Sequence, residues 1–385
     1  MSGAGHAVLG WLAAEAAGRE AAGLTRRLRI RDAAGDGVLD LAGNDYLGLS
    51  GDPRLVEAAS AAAREWGAGA GASRLVTGTT RLHAALEEEA AAFCGQSAGL
   101  VFSSGYLANL GVVTALAGRG DLVISDAHVH ASLVDACRLS RARVAVVPHA
   151  DVGAVAAALA GRSEARAVVL TESIFSVLGD PAPLRELAEA CAAHGAVLVV
   201  DEAHALGVAG PAGRGLVHAA GLAGRPDVVV TATLSKALGG QGGLVLGHPA
   251  VREHLVNRAR AFVYDTALAP PAAGAARAAL RVLAAEPERV GAVRAAAGRL
   301  AAAVGQRAPA GAVLAVAMPG PEQALRAAER CATRGVRVGC FRPPSVPDRI
   351  SRLRVTARAT LSGTQLGHAA SVLGEVAAVY DRAMP

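Results

Sequence analysis

The chain contains a single lysine, Lys236, among 38 lysine and arginine residues, so the other 37 basic side chains are arginines. A guanidinium supplies positive charge, but it stays protonated and cannot act as a nucleophilic amine. Lys236 ends the segment 233–236 (TLSK), which follows the apolar run 228–231 and precedes four glycines within 239–243. A desolvated lysine forms Schiff bases. We interpret Lys236 as a candidate for covalent bonding to a ligand. The alternative is that one lysine remains by chance and has no chemical role.

A second polar group, at 201–204 (DEAH), directly follows another apolar run. Ligands of parallel sheets bind at the carboxyl ends of the strands, which is where Asp201 is predicted, with His204 three residues farther on. A carboxylate that caps a turn is the alternative interpretation. Asp201 and Lys236 together suit pyridoxal phosphate, which requires a lysine for its aldehyde and an acidic partner for its pyridine nitrogen.

The phosphate of such a cofactor needs hydrogen-bond donors. The segment 102–106 (FSSGY) follows the apolar run 99–103, and a helix that includes Asn109 is predicted to start there. Backbone N–H groups at a helix N-terminus, together with a serine hydroxyl, form an anion site. His128 and His130 are both candidates for a side chain that lies over the flat ring, and these residues alone do not decide between them.

Short apolar runs alternate with helical patterns through the first 270 residues. The predicted strands are 99–103, 122–125, 144–147, 167–171, 197–201, 228–231 and 243–247. Between two of them, the apolar residues from Leu184 to Cys191 follow the i, i+3, i+4, i+7 spacing of a helix over 184–194, with Pro183 as its first residue and Gly195 as its stop. This alternation predicts an α/β fold: a mainly parallel seven-stranded sheet with helices on both faces.

The pattern changes after about residue 270. We predict a long alanine-rich helical stretch over 271–305, a strand at 313–316, a helix at 321–334, strands at 336–341 and 353–356, and a last helix from Thr364. These elements indicate a smaller α+β domain. We expect residues 1–45 to pack with this small domain, residues 46–270 to form the large domain and residues 271–385 to form the small C-terminal domain.

Composition excludes several classes of protein. The 385 residues suit two or three domains, and the net charge of +5 is spread along the chain. The densest basic cluster, at positions 26, 27, 29 and 31, has no interleaved aromatic residues, so we expect no nucleic-acid partner. The five cysteines form no CxxC pair, which indicates reduced thiols and no metal site. No apolar run approaches the ~18 residues of a membrane span, and no signal-peptide pattern is present. We therefore expect a cytoplasmic protein without membrane attachment.

Other motifs fail. Residues 67–72 (GAGAGA) match a loose GxGxxA dinucleotide pattern, but they follow a predicted helix rather than a strand. The sequence contains no GxxxxGK[ST], HExxH or GxSxG motif.

Eight segments, in this order, resemble the α-oxoamine synthase family of fold-type I pyridoxal-phosphate enzymes. They are 44–49 (NDYLGL), 73–78 (SRLVTG), 104–106 (SGY), 130–133 (HASL), 171–176 (TESIFS), 201–204 (DEAH), 233–236 (TLSK) and 342–347 (RPPSVP). The resemblance extends from about Leu24 to the last helix. It is greatest to the members that condense L-alanine with pimeloyl-CoA, or with a pimeloyl carrier protein, in biotin synthesis. It also implies a homodimer with shared active sites.

The resemblance implies a role for each matched side chain. Lys236 binds the cofactor aldehyde, Asp201 pairs with the pyridine nitrogen, His204 reaches the ring O3′, and His130 stacks on the ring face. The residues implied on the phosphate side are Ser104, Gly105, Tyr106 and Thr233, with Thr266 reaching across a dimer interface. Those implied to line the site or to bind substrate are Glu172, Ser176, Asn44, Arg354, Arg26 and Arg342. Among these, Arg354 is implied to grip the amino-acid carboxylate as a planar bidentate donor, and Arg26 and Arg342 to face the acyl-CoA.

The family motifs alone do not select the substrates. Glycine with acetyl-CoA or succinyl-CoA, and serine with palmitoyl-CoA, are rivals within the fold. A non-catalytic binding or regulatory protein and a nicotinamide dehydrogenase are rivals from other classes. The chain departs from the family pattern at Ala205, where a glycine is usual, and at Leu178, where Asp often precedes Gly179. Both departures leave the matched groups intact and are expected to affect only the local backbone.

Overall fold

The structure, a computed structural model, describes residues 8–26, 28, 30–33, 35–343 and 346–381. Arg27 and Arg29 of the basic cluster, and Pro344 and Ser345 of the RPPSVP segment, lie outside the described residues.

Within these ranges the chain alternates between strands and helices. The strands are β1 (Leu39–Leu41), β2 (Ala98–Phe102), β3 (Leu122–Asp126), β4 (Arg143–Val147), β5 (Ala167–Glu172), β6 (Val197–Asp201), β7 (Val228–Thr233), β8 (Gly243–Gly247), β9 (Val313–Ala317), β10 (Val336–Phe341) and β11 (Arg352–Thr356). The helices are Gly10–Ala21, Pro53–Trp66, Arg81–Cys94, Gly105–Leu116, Ala131–Ser140, Val152–Ala160, Leu184–Ala193, Leu216–Ala219, Pro249–Arg258, Arg260–Val263, Pro270–Ala285, Glu288–Ala303, Pro321–Thr333 and Gly363–Asp381. None of the helices described is long and apolar enough to cross a lipid bilayer.

The larger sheet has seven strands in the order β2-β8-β7-β6-β5-β3-β4. Strand β8 runs antiparallel to both of its neighbours, and the remaining pairs are parallel. Hydrophobic clusters cover the sheet on both faces, as expected for a buried parallel sheet with crossover helices. The predicted α/β fold is therefore confirmed.

Two of the seven predicted strands of the large sheet, 197–201 and 243–247, have the observed bounds, and the others differ by one or two residues at an end. The largest difference is in β7, which continues two residues past the predicted end, to Thr233. The cause is tertiary: Ala232 and Thr233 pair with Leu244 and Gly243 of the antiparallel β8, and a hydrophobicity pattern does not show this pairing. The longer β7 brings Thr233 to the edge of the sheet where β6 ends.

The helix Leu184–Ala193 confirms the predicted spacing, because Leu184, Leu187, Ala188 and Cys191 are all buried. Pro183 occupies the N-cap position rather than the first helical position. Gly195 adopts a φ of 60°, in the left-handed region that favours glycine, two residues past the end of this helix.

The smaller sheet has the order β1-β10-β11-β9. Its edge strand β1 pairs in parallel with β10, with Leu39 opposite Val336 and Leu41 opposite Val338. A strand from near the N-terminus thus completes a sheet that otherwise comes from the last quarter of the chain. The exact domain limits at residues 45 and 270 stay a prediction.

The predicted alanine-rich helical stretch is helical, and it consists of two helices, Pro270–Ala285 and Glu288–Ala303. The break is at Glu286 (φ −126°, ψ 59°), which precedes Pro287. A proline disfavours the helical conformation of the residue before it, which explains the break.

The first of these helices packs closely on the helix Pro53–Trp66. Gly274 permits the approach, since a Cβ at this position would lie 2.7 Å from the Ala62 Cβ and 2.8 Å from the Ala58 carbonyl oxygen. This contact anchors the helix Pro53–Trp66. The segment Asn44–Leu49, which precedes this helix, contributes to the site.

Candidate active site

Lys236 lies just beyond β7, in a compact turn rich in glycine. The turn is closed by two backbone hydrogen bonds, from Leu234 N–H to the Gly242 carbonyl (3.0 Å) and from Gly240 N–H to the Leu234 carbonyl (2.9 Å). Gly239 has a φ of 62° and lies so close to Leu49 that a Cβ would come within 2.6 Å of the Leu49 carbonyl carbon. The turn therefore holds the lysine in one place, next to the end of β6.

The Lys236 amine contacts His204, with 2.8 Å between Nζ and the His204 Nε2. Desolvation lowers the pKa of Lys236 to about 8, although the carboxylates of Asp201 and Glu172 oppose the shift. Burial, assisted by the nearby Lys236 and Arg354, holds the pKa of His204 well below its ordinary value. The imidazole is thus neutral, and the amine is much closer to its nucleophilic form than an ordinary lysine is.

Asp201 is the last residue of β6 and is buried. Its Oδ2 accepts a hydrogen bond from Asn109 Nδ2 (2.7 Å), and its Oδ1 accepts from the Ala203 N–H (2.8 Å). The Asn109 amide is itself oriented by the Thr231 hydroxyl, which donates to Asn109 Oδ1 at 2.6 Å. The carboxylate is therefore held in one orientation.

His130 caps the helix Ala131–Ser140 by accepting from the Ser132 N–H at 3.3 Å, and the residue lies partly exposed at the mouth of the site. The ring Nδ1 lies 2.8 Å from the Ser132 hydroxyl, which accepts from Asn109 Nδ2 at 2.9 Å. Desolvation lowers the pKa of His130, and the charges of Asp201 and Lys236 act on it in opposite directions. Of the two candidate histidines, His130 faces these groups, whereas His128 lies against His149 with 4.5 Å between ring centroids.

Asn109 thus joins two groups that the sequence reasoning treated separately, the Asp201 carboxylate and the histidine at the mouth of the site. It was noted only as part of a helix, and no role was predicted for it. A signal was present, because Asn109 is a buried amide in the middle of the otherwise apolar helix Gly105–Leu116. A buried amide of this kind requires partners.

The predicted phosphate-side residues lie where the helix Gly105–Leu116 meets β7. The Ser104 hydroxyl caps this helix by accepting from the Leu107 N–H at 3.2 Å. The approach to β7 is tight, since a Cβ on Gly105 would lie 3.1 Å from the Thr233 Cβ. The Thr233 and Ser235 hydroxyls are 2.6 Å apart. These hydroxyls and the first N–H groups of the helix form a donor-rich corner suited to an anion.

Two members of the predicted phosphate set present their side chains elsewhere. Tyr106 is 43% exposed, and its hydroxyl donates to Asp135 at 2.7 Å. Its side chain therefore lies away from the corner, and only its backbone N–H, in the first turn of the helix, is oriented toward it. Thr266 is exposed and forms an isolated antiparallel bridge with Ser73.

Arg354, on β11, brings the small sheet into the site. Its Nε donates to the Ser176 carbonyl (2.6 Å), and both of its terminal nitrogens lie 3.2 Å from Asn44 Oδ1. The Ser176 N–H in turn donates to Glu172 Oε2 at 3.0 Å. Four predicted residues, Asn44, Glu172, Ser176 and Arg354, are therefore assembled from three separate parts of the chain.

Glu172 is buried at the end of β5, and its Oε1 has no hydrogen-bond partner among the described residues. Desolvation raises the pKa of Glu172 well above its ordinary value, and the nearby Asp201 carboxylate adds to the rise. The oxygen without a partner is available for a hydrogen bond with a bound molecule.

The structure adds Tyr46, for which no role was predicted although it lies within the NDYLGL segment. Its hydroxyl is 2.7 Å from His204 Nδ1, 3.0 Å from Asn44 Oδ1 and 3.5 Å from Arg354 Nη2. The side chain is 1% exposed, and burial raises its pKa to about 12. Nothing in the spacing of residues indicates this contact, because it joins positions 46 and 204.

Arg26 and Arg342 line one cavity of about 650 Å³, together with Arg19 and Phe341. The Arg354 guanidinium lies 5.6 Å from the centre of the Phe341 ring, so this basic cavity adjoins the carboxylate end of the site. Its surroundings suit an anionic ligand.

The two departures from the family pattern are accommodated. Ala205 is fully buried and its φ is not positive, so glycine is not required there. Gly179, after Leu178, has a φ of 78°, and a Cβ there would lie 2.2 Å from the Val313 carbonyl oxygen. The residue before Gly179 has thus changed, while the turn that needs the glycine remains.

The polar groups assembled at this sheet edge fit pyridoxal phosphate. A desolvated amine, an oriented carboxylate and a donor-rich helix start converge on one sheet edge, and a buried carboxyl oxygen lacks a partner there. The backbone is closely packed at this edge, because a Cβ on Gly243 would lie 2.2 Å from the Ser104 carbonyl oxygen. These groups match the aldehyde, pyridine nitrogen and phosphate of the cofactor.

Comparisons with known proteins agree with this geometry. The family model described as aminotransferase class I and II matches residues 36–373. A protein of Mycolicibacterium gilvum named 8-amino-7-oxononanoate synthase is 59% identical over 98% of this chain and 99% of its own length. A protein of the same name from Mycobacterium avium is 61% identical over 96% of this chain and 97% of its own.

Solved structures also match. Serine palmitoyltransferase of S. paucimobilis, described with a bound PLP–myriocin aldimine, superposes with a TM-score of 0.89 and 28% identity, covering 97% of this chain and 98% of that one. 8-Amino-7-oxononanoate synthase of Francisella tularensis gives a TM-score of 0.76 and 25% identity, covering 88% of this chain and 97% of that one.

Proposed function

Because the chain belongs to the class I and II aminotransferase family, we propose that it is a pyridoxal-phosphate-dependent acyltransferase of biotin biosynthesis. It catalyses the reaction of the relatives named 8-amino-7-oxononanoate synthase, which match it over nearly their whole length. The structural observation that carries the proposal is the Lys236 amine beside His204, at the strand edge where the Asp201 carboxylate is held.

The substrates that we propose are L-alanine and a pimeloyl thioester, carried by CoA or by a carrier protein. In the balanced reaction the alanine Cα loses a proton and attacks the thioester carbon. The carrier then leaves as a thiolate that takes up one proton, the carboxylate is lost as CO₂, and Cα takes up a second proton to give 8-amino-7-oxononanoate, so that one proton is consumed from solvent overall. When bound, pyridoxal phosphate supplies a protonated conjugated ring that accepts the electrons released at Cα.

The residues that would hold the cofactor lie on the strand edge. Lys236 would bind the aldehyde, Asp201 the protonated pyridine nitrogen, and Ser104, Gly105 and Thr233 the phosphate. His130 would cover one face of the ring from the mouth of the site. Asp201 suits its task because its two oxygens are already oriented by Asn109 and by the Ala203 N–H.

Lys236 moves the proton in this proposal. Since desolvation lowers its pKa to about 8, roughly a tenth of the amine is neutral at pH 7, far more than for an ordinary lysine, and this fraction can take the proton from the alanine Cα. His204 contacts the amine through Nε2 and holds it in position. Lys236 then returns a proton to Cα after CO₂ is lost.

The amino-acid carboxylate binds at Arg354. Its Nε already donates to the Ser176 carbonyl, so the two terminal nitrogens face the site beside Asn44. A guanidinium in this position binds a carboxylate with two parallel hydrogen bonds. The basic cavity that contains Arg26 and Arg342 adjoins Phe341 and is proposed to take the acyl thioester.

We further propose a homodimer in which Thr266 serves the phosphate of the partner's site. Apolar surface near this residue supports the proposal: Leu75, Val76 and Tyr264 are 52%, 74% and 71% exposed, and the Ser73–Thr266 bridge ties their segments together. Light scattering of the holoenzyme is expected to give twice the 38.4 kDa mass of one chain.

The five cysteines are free, four of them buried, and this supports a cytoplasmic location.

The test is a panel of amino acids against acyl thioesters, read as release of CoA thiol. L-Alanine with pimeloyl-CoA is expected to be the preferred pair, and the Lys236→Arg variant to be inactive because a guanidinium cannot replace the amine. A preference for glycine with acetyl-CoA or succinyl-CoA would mean that the protein has another synthase activity found on the same fold. Binding of the cofactor without CoA release from any pair would instead support a non-catalytic protein.

A further inference from the structure

A second charged cluster lies beside the site, at the ends of β3, β4 and β5. His149, two residues after β4, bridges two carboxylates: its Nδ1 is 3.1 Å from Asp126 Oδ1, and its Nε2 is 2.8 Å from Asp180 Oδ2. Asp126 ends β3 and is buried, whereas Asp180 lies in the turn that follows β5 and is partly exposed.

The geometry defines the charge of this histidine. An ionised carboxylate only accepts hydrogen bonds, so both ring nitrogens of His149 must donate, and the ring is an imidazolium. The hydrogen bonds that His149 donates to Asp126 and Asp180 raise its pKa to about 9, in agreement with this assignment. The bridge is therefore a charged one at neutral pH.

His149 contacts both ends of the turn 175–180. Its ring packs edge-on against the buried Phe175, with centroids 4.3 Å apart and an interplanar angle of 79°, while Nε2 binds Asp180. The turn itself is closed by hydrogen bonds from Gly179 N–H to the Phe175 carbonyl (2.8 Å) and from Phe175 N–H to the Asp180 carbonyl (3.0 Å).

This turn carries the backbone that orients the carboxylate site. The Ser176 carbonyl accepts from Arg354 Nε at 2.6 Å, and the Ser176 N–H donates to Glu172 Oε2 at 3.0 Å. A displacement of the turn would rotate the Arg354 guanidinium away from Asn44 Oδ1, the acceptor on its other side.

We propose that His149 is a positioning residue for amino-acid binding: by bridging Asp126 and Asp180 it fixes the turn whose Ser176 carbonyl aligns Arg354. This inference rests on the proposed function, since it takes Arg354 as the group that binds the amino-acid carboxylate. It assigns a purpose to a partly buried charged bridge that the reaction itself does not use.

The groups around His149 determine the pH range in which the bridge exists. Asp126 and Asp180 face its two nitrogens, and the His128 ring lies 4.5 Å away with its own pKa lowered by burial. Beyond His128 lie Asp348 and Arg352, which pair with each other. Because the pKa of His149 is raised, the bridge is complete at neutral pH and is lost as the pH rises through about 9.

The test compares holoenzyme variants by the change in visible absorbance on titration with L-alanine. His149→Gln and Asp180→Asn are each expected to raise the Kd for L-alanine on the order of tenfold, because a small misplacement of a binding group is costly. The double variant is expected to match His149→Gln, since the contact between positions 149 and 180 is already lost once the imidazole is replaced. The control is His254→Gln, at an exposed histidine that bonds only the Ala115 carbonyl in the described structure.

Two readouts separate positioning from general damage. The Kd for pyridoxal phosphate and kcat at saturating alanine are expected to stay within about twofold of the parent value. The variant-to-parent ratio of the alanine Kd is expected to fall toward one above pH 9, where the parent also loses the bridge. An unchanged alanine Kd in both variants, a pH-independent ratio, or an equal loss of cofactor affinity overturns the inference.

Failure of the proposed function is distinguishable from failure of this inference. If the parent enzyme responds to no amino acid, the proposed function fails. The bridge is then tested by NMR titration of the His149 ring, which is expected to titrate near pH 9 and to shift downward in Asp180→Asn. A His149 ring that titrates at its ordinary value in the parent overturns the bridge itself.

Discussion

The Tyr46 hydroxyl lies 2.7 Å from His204 Nδ1, and His204 Nε2 lies 2.8 Å from Lys236 Nζ, so one imidazole connects the tyrosine to the amine. A protonated lysine only donates hydrogen bonds, which places the proton of the neutral imidazole on Nδ1 and makes the tyrosine oxygen its acceptor. The Tyr46 hydroxyl then donates to Asn44 Oδ1, which also accepts from Arg354. The chain of hydrogen bonds thus runs from the reactive amine to the carboxylate-binding arginine.

The first prediction concerns this tyrosine. Tyr46→Phe removes the hydroxyl without changing the shape of the side chain and leaves the His204 Nδ1–H without an acceptor, a loss of about 1–3 kcal/mol for a buried donor. We expect kcat/KM for L-alanine to fall on the order of tenfold, which corresponds to ~1.4 kcal/mol. Steady-state kinetics checks the fall, and Tyr380→Phe, at a tyrosine of the last helix that lies outside the site, is the control. Kinetics equal to those of the parent would mean that the hydroxyl does not orient His204.

A second prediction concerns Asn109. Asn109→Ala leaves the buried Asp201 carboxylate and the Ser132 hydroxyl each without one donor. We expect the Kd for pyridoxal phosphate to rise at least about tenfold, because hydrogen bonds to charged groups contribute ~1.5–3 kcal/mol. Fluorescence or absorbance titration of the apo protein measures this Kd. Asn257→Ala, at an exposed asparagine that bonds only the Glu253 carbonyl in the described structure, is expected to change nothing.

A third prediction concerns pH. Only the neutral amine attacks the cofactor aldehyde, and desolvation lowers the pKa of Lys236 to about 8. The rate at which apo protein captures pyridoxal phosphate is therefore expected to rise with pH up to about 8 and then to level off. Stopped-flow absorbance measures the rate. A rate that keeps rising to about pH 10, as an ordinary lysine would give, contradicts the lowered pKa.

A fourth prediction concerns stability at the base of the site. Arg74 and Glu87 form a buried ion pair (2.8 Å) whose side chains are 4% and 5% exposed, and Glu87 also accepts from the Val101 N–H at 3.0 Å. Glu87→Ala leaves the arginine charge buried without this partner, which costs about 3–5 kcal/mol. Denaturant unfolding is expected to show this loss.

The matched control for that ion pair is Glu57→Ala, which breaks the exposed pair with Arg64 (2.6 Å). We expect a change of only about 0–1 kcal/mol, since exposed pairs are solvated in both states. Equal losses for the two variants would mean that burial does not determine the strength of the Arg74–Glu87 contact.

Much of the architecture follows from local patterns. The seven strands of the large sheet were predictable from short continuous apolar runs, because the strands of a parallel sheet are buried on both faces. The helix at 184–193 was predictable from the helical spacing of its apolar residues. The positions of Lys236 and Asp201 just past strand ends followed from the same patterns. The exceptions lie where a distant segment alters an element, as β8 does when it lengthens β7 to Thr233.

The sequence by itself therefore determined the fold class, the unique amine and the acidic partner, because each depends on residue type and on spacing over a few positions. Only the tertiary structure decided which side chains meet. Asn44 and Arg354 are 310 positions apart, Tyr46 and His204 are 158 apart, and neither pair has a signature along the chain. Their contacts arise because the small sheet, completed by β1, places Arg354 against the carboxyl edge of the large one. The choice of His130 over His128 has the same origin, since the contact with His149 turns one histidine away from the site that the other faces.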